Sequence, residues 1–435
     1  MRDLLIVNAA LANGVTTSIA IDGGKIIEIS PTIDTAEFSE VLDATGLTAL
    51  PGFVDLHTHL REPGKEDAET VLSGSQSAIS GGFTAVSAMA NTNPVADTAG
   101  VVEQVFRLGE SAGLCEVFPV GAVSKGLEGV ALAELSAMAT SAAKVRVFSD
   151  DGKCVSDALL MRRALEYVKS FNGVIAQHAQ DPRLTVDAQM NEGIISSTLG
   201  LAGWPAVAEE SIIARDILLA NHVQSRLHIC HVSTKGSVAL IRWAKSQGIS
   251  VTAEVTPHHL LLTDELITGY DPIYKVNPPL RSSEDVLAIR EGLADGTIDI
   301  VATDHAPHPR EDKDCEWSAA AFGMTGLETA FAVVYTTMVK SGLITMDRLI
   351  EVMSTNPAKI GGYEGQGRGL ALGAPAHITL VDTVFEAAID ATKFASKSAN
   401  SPFHGEILSG RVRATLFHGL PVFRDGALTG LRFTA

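Results

Sequence analysis

The segment Phe53-Val54-Asp55-Leu56-His57-Thr58-His59 (53–59) decides the reading of this chain: an apolar β-run leads into two imidazoles at alternate positions. Residues two apart on an extended chain point the same way, so His57 and His59 can converge on one ligand at a strand end. Seven more runs follow: TAVSAM (84–89), EVFPVGAV (116–123), KVRVFS (144–149), VIAQH (174–178), RLHICHV (226–232), SVTAEVT (250–256) and DIVATD (299–304). Between them lie helical stretches such as SDALLMRRALEYVKSF (156–171) and KGSVALIRWAKSQG (235–248), apolar at i, i+3, i+4 and charged on the other face. Eight strands alternating with helices over roughly 250 residues predict an α/β fold, a TIM (β/α)8 barrel.

Outside the barrel the pattern is different. Residues 1–50 hold short β-branched runs, LLIVNAAL (4–11), TTSIAI (16–21) and IDGGKIIEIS (21–30), the last with a tight Asp22-Gly23-Gly24 hairpin turn. Strand-like runs return in AHITLVD (376–382), GRVRATLFHG (410–419) and PVFRDG (421–426). The expected organisation is a small β-module formed by both chain ends, 1–50 and 365–435, around a catalytic barrel at 51–364. The glycine-rich stretch GYEGQGRGLALG (362–373) follows no strand and opens no clear helix, so it reads as a return loop and not as a phosphate cradle.

Composition narrows the function. Lys and Arg number 33 against 51 Asp and Glu, a formal charge of −18, which repels nucleic-acid backbones and anionic membranes. No apolar run is long enough for a membrane span. Four cysteines, Cys115, Cys154, Cys230 and Cys315, lie scattered without C-x-x-C spacing, which fits a reducing, cytoplasmic setting and neither a disulfide framework nor a thiolate zinc site. An anionic substrate would need local cations.

Active sites of such barrels lie at the C-terminal ends of the strands. There the sequence places His57 and His59 on strand one, Asp150 and Asp151 after strand four, His178 on strand five, His231 on strand six and Asp304 on strand eight. One such histidine is ordinarily a core residue; three strands ending in imidazole and two in carboxylate describe a metal centre. Four histidines and two acids suit two zinc ions sharing a bridging ligand, an arrangement that lowers the pKa of water from about 16 to near 7. Spacing does not choose between Asp150 and Asp151. His258 and His259, read as adjacent strand residues pointing opposite ways, are set aside as structural.

The motifs PGFVDLHTHLREPG (51–64), AMANTNPV (88–95), FSDDG (148–152), EVTPHHLLLTD (254–264), VNPPLR (276–281) and ATDHAPHP (302–309) together resemble the bacterial class I dihydroorotases of the amidohydrolase superfamily over nearly the whole chain. The D-x-H-x-H element alone is common to many amidohydrolases, whereas its combination with H-L-R, N-T-N-P and D-H-A-P-H is much more specific. The resemblance implies that His57, His59 and Asp304 ligate one zinc, His178 and His231 the other, and Asp151 bridges them. Related hydantoinases bridge with a carboxylated lysine, and Lys153 is the residue here that keeps that alternative open. The implied reaction interconverts N-carbamoyl-L-aspartate and L-dihydroorotate in pyrimidine biosynthesis, with Asp304 as the catalytic proton carrier. Implied substrate contacts are His59, Arg61, Asn93, Asn277, His308, Phe322 and Gly323. Arg61 supplies a planar fork for the carboxylate that the chemistry leaves untouched, while Asn93 and Asn277, each beside a proline, also suit plain turn chemistry. The stretch HPREDKDCEWSAAAFG (308–323) reads as a flexible lid over the barrel mouth.

Two rival readings follow from the same motifs. A hydantoinase, dihydropyrimidinase or allantoinase shares barrel and metals but acts on rings that need no carboxylate clamp. An inactive dihydroorotase-like subunit would only support aspartate transcarbamoylase, but such relatives lack the ligands that are filled here. A homo-oligomer is expected, with aspartate transcarbamoylase as a candidate partner.

Overall fold

A computed structural model of the chain describes residues 1–434. Its barrel strands are Phe53–Thr58, Phe83–Ala88, Glu116–Pro119, Val147–Phe148, Val174–Gln177, Leu227–Ile229, Val251–Val255 and Ile300–Val301. The first three pair in parallel, as do the last five. Parallel bridges Gly121 to Phe148 and Thr58 to His305 join the two arcs and close the ring.

Every residue of the first strand is buried, as expected where helices cover the outside and side chains fill the inside. One alternate set, including Val147, Val174, Ala176, Cys230, Ile300 and Ala302, forms a cluster closed at one end by Ala358, Ile360 and Tyr363. The other set, including Phe148, Ile175, Ile229, Val251 and Val301, packs under the helices. The strands are shorter than the sequence runs suggest, two residues each for the fourth and eighth. Past its short ladder the eighth turns at Asp304, whose φ is 47°, and the sixth turns at His231, φ 30°. Left-handed non-glycine residues are costly and concentrate at functional sites.

The chain ends share one nine-stranded sheet. Thr48–Pro51, immediately before the barrel, pairs with Ile378–Ala388, and Arg2–Ala10 pairs with Thr16–Asp22 and Phe38–Asp43. Leu4, Ile6, Ile19, Ile21, Ile378, Leu380 and Leu416 form its core. Among the described residues, no helix is long and apolar enough to cross a membrane.

Candidate metal centre and active site

The fold brings His57, His59, Asp151, His178, His231 and Asp304 into one buried cluster at the C-terminal mouth of the barrel. Asp151 stands in its middle. One carboxylate oxygen, Oδ2, lies 3.3 Å from the Nε2 atoms of both His57 and His59. The other, Oδ1, lies 3.1 Å from His178 Nδ1 and 3.2 Å from His231 Nε2. Asp304 Oδ1 is 3.1 Å from His59 Nε2 and 3.4 Å from His57 Nε2. The donors thus divide into two groups that share Asp151.

The hydrogen bonds behind these atoms favour one tautomer at three of the four rings. His57 Nδ1 is 2.6 Å from Glu254 Oε1, His59 Nδ1 is 2.9 Å from Asn91 Oδ1, and His178 Nε2 is 2.7 Å from Gln180 Oε1. Each of these partners is an acceptor, so the ring nitrogen facing it carries the hydrogen, and in the neutral ring the opposite nitrogen is the one that can serve as a ligand. Those nitrogens converge on carboxylate oxygens, and His178 Nδ1 lies 2.9 Å from His231 Nε2. His57 Nε2 is buried without any hydrogen bond although two carboxylates flank it. Atoms of this kind repel one another unless a proton or a cation lies between them. Donor spacings of 2.9–3.4 Å also match the edge of a zinc tetrahedron, about 3.3 Å for Zn–N near 2.0 Å. The residues fit a bound metal.

Electrostatics agree. Burial disfavours a charged His57, yet Asp151, Glu254 and Asp304 together hold its imidazole well above the usual range. The same histidines overcome burial at the acids: Asp151 lies well below its ordinary pKa, and Asp304 is held at about 2. The pocket demands positive charge at its centre, which a divalent cation supplies in place of protons. A third donor group, His57, Cys230 and Glu254, fits less well, because His57 Nδ1 is already bonded to Glu254 and burial pushes the Cys230 thiol upward, away from thiolate.

Asp150 has a different task. Its carboxylate accepts from the backbone N–H of Val123 and Ser124 at 2.8 and 2.9 Å and from the Ser124 hydroxyl, tying strand four to the loop after strand three. Lys153 is exposed. His258 and His259 lie on a short helix, Pro257–Leu261, and not on a strand as the sequence suggested; His259 bonds Thr256, and burial holds both below the ordinary histidine range.

Beside the cluster, Arg61 is buried at φ 63° with its Nε donating to Pro307 O at 3.0 Å. Burial lowers its pKa to about 10, opposed by the charges of Asp304 and Asp151, so it remains a cation. A guanidinium nitrogen lies 3.3 Å from His308 Nε2, which is 2.9 Å from Phe322 O. Gly323 adopts φ 136°, and a Cβ there would meet Ala306 and His308 at 2.8–2.9 Å, so only glycine fits. Asn277 Nδ2 donates to Gln180 Oε1 at 3.0 Å, joining it to the His178 side. Asn93 is exposed in the turn next to Arg61, its N–H bonded to Pro63 O, and its side chain joins no other site residue.

The sequence reading missed Glu254, His228, Gln180, Asn91 and Asn400. Glu254 had a signal: a lone acid inside the apolar run SVTAEVT. It bridges His57 to His228, whose Nε2 is 2.9 Å from Glu254 Oε2. Asn400 had none, since it arrives from a distant loop to bond Ala306 O, Gly323 O and the His308 N–H.

Comparison with known proteins agrees with this geometry. Residues 46–237 match the family model described as dihydro-orotase-like. A dihydroorotase of Streptomyces coelicolor is 63% identical over 99% of this chain and 100% of its own length. One of Mycobacterium tuberculosis is 52% identical over 95% of this chain and 96% of its own. Among solved structures, an L-hydantoinase (dihydropyrimidinase) from Arthrobacter aurescens superposes with a TM-score of 0.86 at 28% identity, covering 98% of this chain and 97% of that one. A dihydropyrimidinase from Brevibacillus agri, 22% identical with a TM-score of 0.84 over 100% of this chain and 97% of its own, shows the same fold. Identity of this order along the whole length leaves one assignment: the chain belongs to the dihydroorotase family of metal-dependent cyclic amide hydrolases.

Proposed function

We propose that the chain interconverts N-carbamoyl-L-aspartate and L-dihydroorotate at a two-zinc centre held by His57, His59, Asp151, His178, His231 and Asp304. The observation that carries this reading is Asp151, whose two oxygens face two separate histidine pairs. Asp151, and not a carboxylated Lys153, is the bridge. When bound, the ions supply a nucleophilic oxygen at neutral pH and polarise the scissile carbonyl.

The protein's own groups orient the substrate and move the proton. Arg61, fixed through Pro307, presents its remaining N–H groups to the substrate carboxylate, with His308 and the Phe322–Gly323 backbone beside it and His59, Asn93 and Asn277 lining the remainder. Asp304, held ionised, begins hydrolysis as a base: it takes the proton released by the attacking oxygen and passes it to the ring nitrogen as the C–N bond breaks. Cyclisation runs the same transfer backwards. We assign the barrel to 51–364 and the β-module to 1–50 and 365–435, and the chain to the cytoplasm as a homo-oligomer with aspartate transcarbamoylase as a candidate partner.

Arg61 separates this substrate from hydantoin or allantoin, which carry no carboxylate to clamp. Arg61→Ala should raise KM for dihydroorotate with metal content unchanged. Asp304→Asn should lower kcat by about 10² or more with a smaller effect on KM, since general acid–base groups act in the transition state. Metal-loaded Asp304→Asn with near-normal kcat would remove Asp304 from the proton path, and faster turnover of hydantoin than of dihydroorotate would reassign the substrate.

A further inference from the structure

The mouth loop 308–323 carries one buried lysine, Lys313, and packs on a second, Lys275, and both differ from the chain's ion-paired lysines. Lys313 is 7% exposed, and Lys275, against which the loop packs, is 2% exposed. Lys235, Lys245, Lys340 and Lys393 pair with carboxylates; Lys275 and Lys313 do not, among the described residues. Burying an ammonium without a counter-ion is expensive, so its three donors must be used fully. They are: Lys313 Nζ donates to Ala321 O at 2.9 Å, Gly323 O at 3.0 Å and Lys275 O at 3.1 Å.

Two of those carbonyls flank Phe322. With Ala321 O and Gly323 O both turned toward Lys313, the carbonyl between them is directed to His308 Nε2, 2.9 Å away. The Phe322 ring is held as well, with Lys275 Nζ 4.5 Å from its centroid and Trp204 at 6.1 Å. Lys275 Nζ closes the other side by donating to Trp317 O and Ser318 O. The N–H of Gly323 donates to Lys275 O at 3.0 Å and that of Ala321 to Asp312 O at 2.9 Å. A loop that reads in sequence as small and flexible is therefore tied to the barrel by backbone carbonyls gathered on an ammonium.

We propose that Lys313 is a positioning residue for substrate binding: its ammonium fixes the Ala321–Gly323 backbone, and through Phe322 O it sets the His308 ring beside Arg61. The inference rests on the proposed role of Arg61, His308 and Phe322–Gly323 in holding the substrate. Lys313 touches neither substrate nor metal ligands, so its loss should act on binding geometry and leave the metal centre intact. Burial, then the nearby Lys275 charge, brings the Lys313 ammonium down to about 7, and its three donor contacts to carbonyls are those of the protonated form.

The test compares Lys313→Met and Lys313→Gln with Arg61→Ala in the metal-loaded enzyme, measuring KM, kcat, metal content and amide hydrogen exchange. Lys313→Met should raise KM for dihydroorotate roughly tenfold or more, because small misplacements of binding groups are costly. Its kcat should stay within about threefold and its metal content should match the parent. Exchange at Ala321 and Gly323 should quicken while the barrel strands keep their protection. Gln, with two donors, should fall between Met and Lys. A KM within about twofold of the parent, while Arg61→Ala raises it, would overturn the proposal and leave the carboxylate reading standing. If Arg61→Ala leaves KM unchanged, the carboxylate reading fails, and unaltered loop exchange in Lys313→Met would separately dispose of the clamp. Failure of both lysine variants to fold would assign Lys313 to global stability and overturn the local role.

Discussion

Adjacent acids after strand four show how position within a few ångströms separates the proposed bridge, Asp151, from a scaffold acid, Asp150. Asp151→Asn should lose metal and activity, because an amide cannot offer two anionic oxygens to two ions. Asp150→Ala should keep the metal yet lower stability by about 2 kcal/mol or more, because the Val123 and Ser124 donors lose a buried acceptor; metal analysis and denaturant melts of the two variants check this. At His308, burial first and the Arg61 and Lys313 charges next push the pKa to about 3. The ring is then neutral across working pH, and its NMR signals should show no titration between pH 5 and 8. The sign for stability follows: the unfolded imidazole takes up a proton below about 6.5 that the native one refuses, so this group weakens the fold as pH falls from there toward 3.

At the scale of elements, the strands were legible because parallel barrel strands are buried on both faces and read as apolar runs, and the helices because one face stays charged. Their C-terminal ends were overestimated, since backbone turning at His231 and Asp304 breaks the ladder where these side chains enter the donor cluster, and nothing in residue type announces a positive φ there. The helix at Pro257–Leu261 was missed although Pro257 at its start and the Thr256 cap are both start signals. The proposed metal ligands could be read from strand ends; Gln180, Asn91 and Asn400 could not, because their value depends on which atom faces them across the fold. Asn400 illustrates the difference. It ties the segment after residue 390 to Ala306, His308 and Gly323. Asn400→Ala should destabilise the protein by about 1–3 kcal/mol in chemical denaturation, leaving buried carbonyls and an N–H unpaired, with metal content unchanged.

Across the whole molecule, the barrel closes around a buried mouth in which four imidazoles and two carboxylates face each other, three of the imidazoles with the outer nitrogen already bonded. Such an assembly suits a divalent cation at its centre, and Arg61, a buried cation beside it, is the group proposed to receive an anionic substrate. The most direct test titrates zinc into chelated protein while following dihydroorotate turnover in the same preparation. Turnover should be absent without metal and rise with zinc until about two ions are bound per chain, the capacity expected when one acid bridges two catalytic sites. Turnover that persists in fully metal-free protein, or zinc-loaded protein that leaves dihydroorotate untouched, would contradict the account.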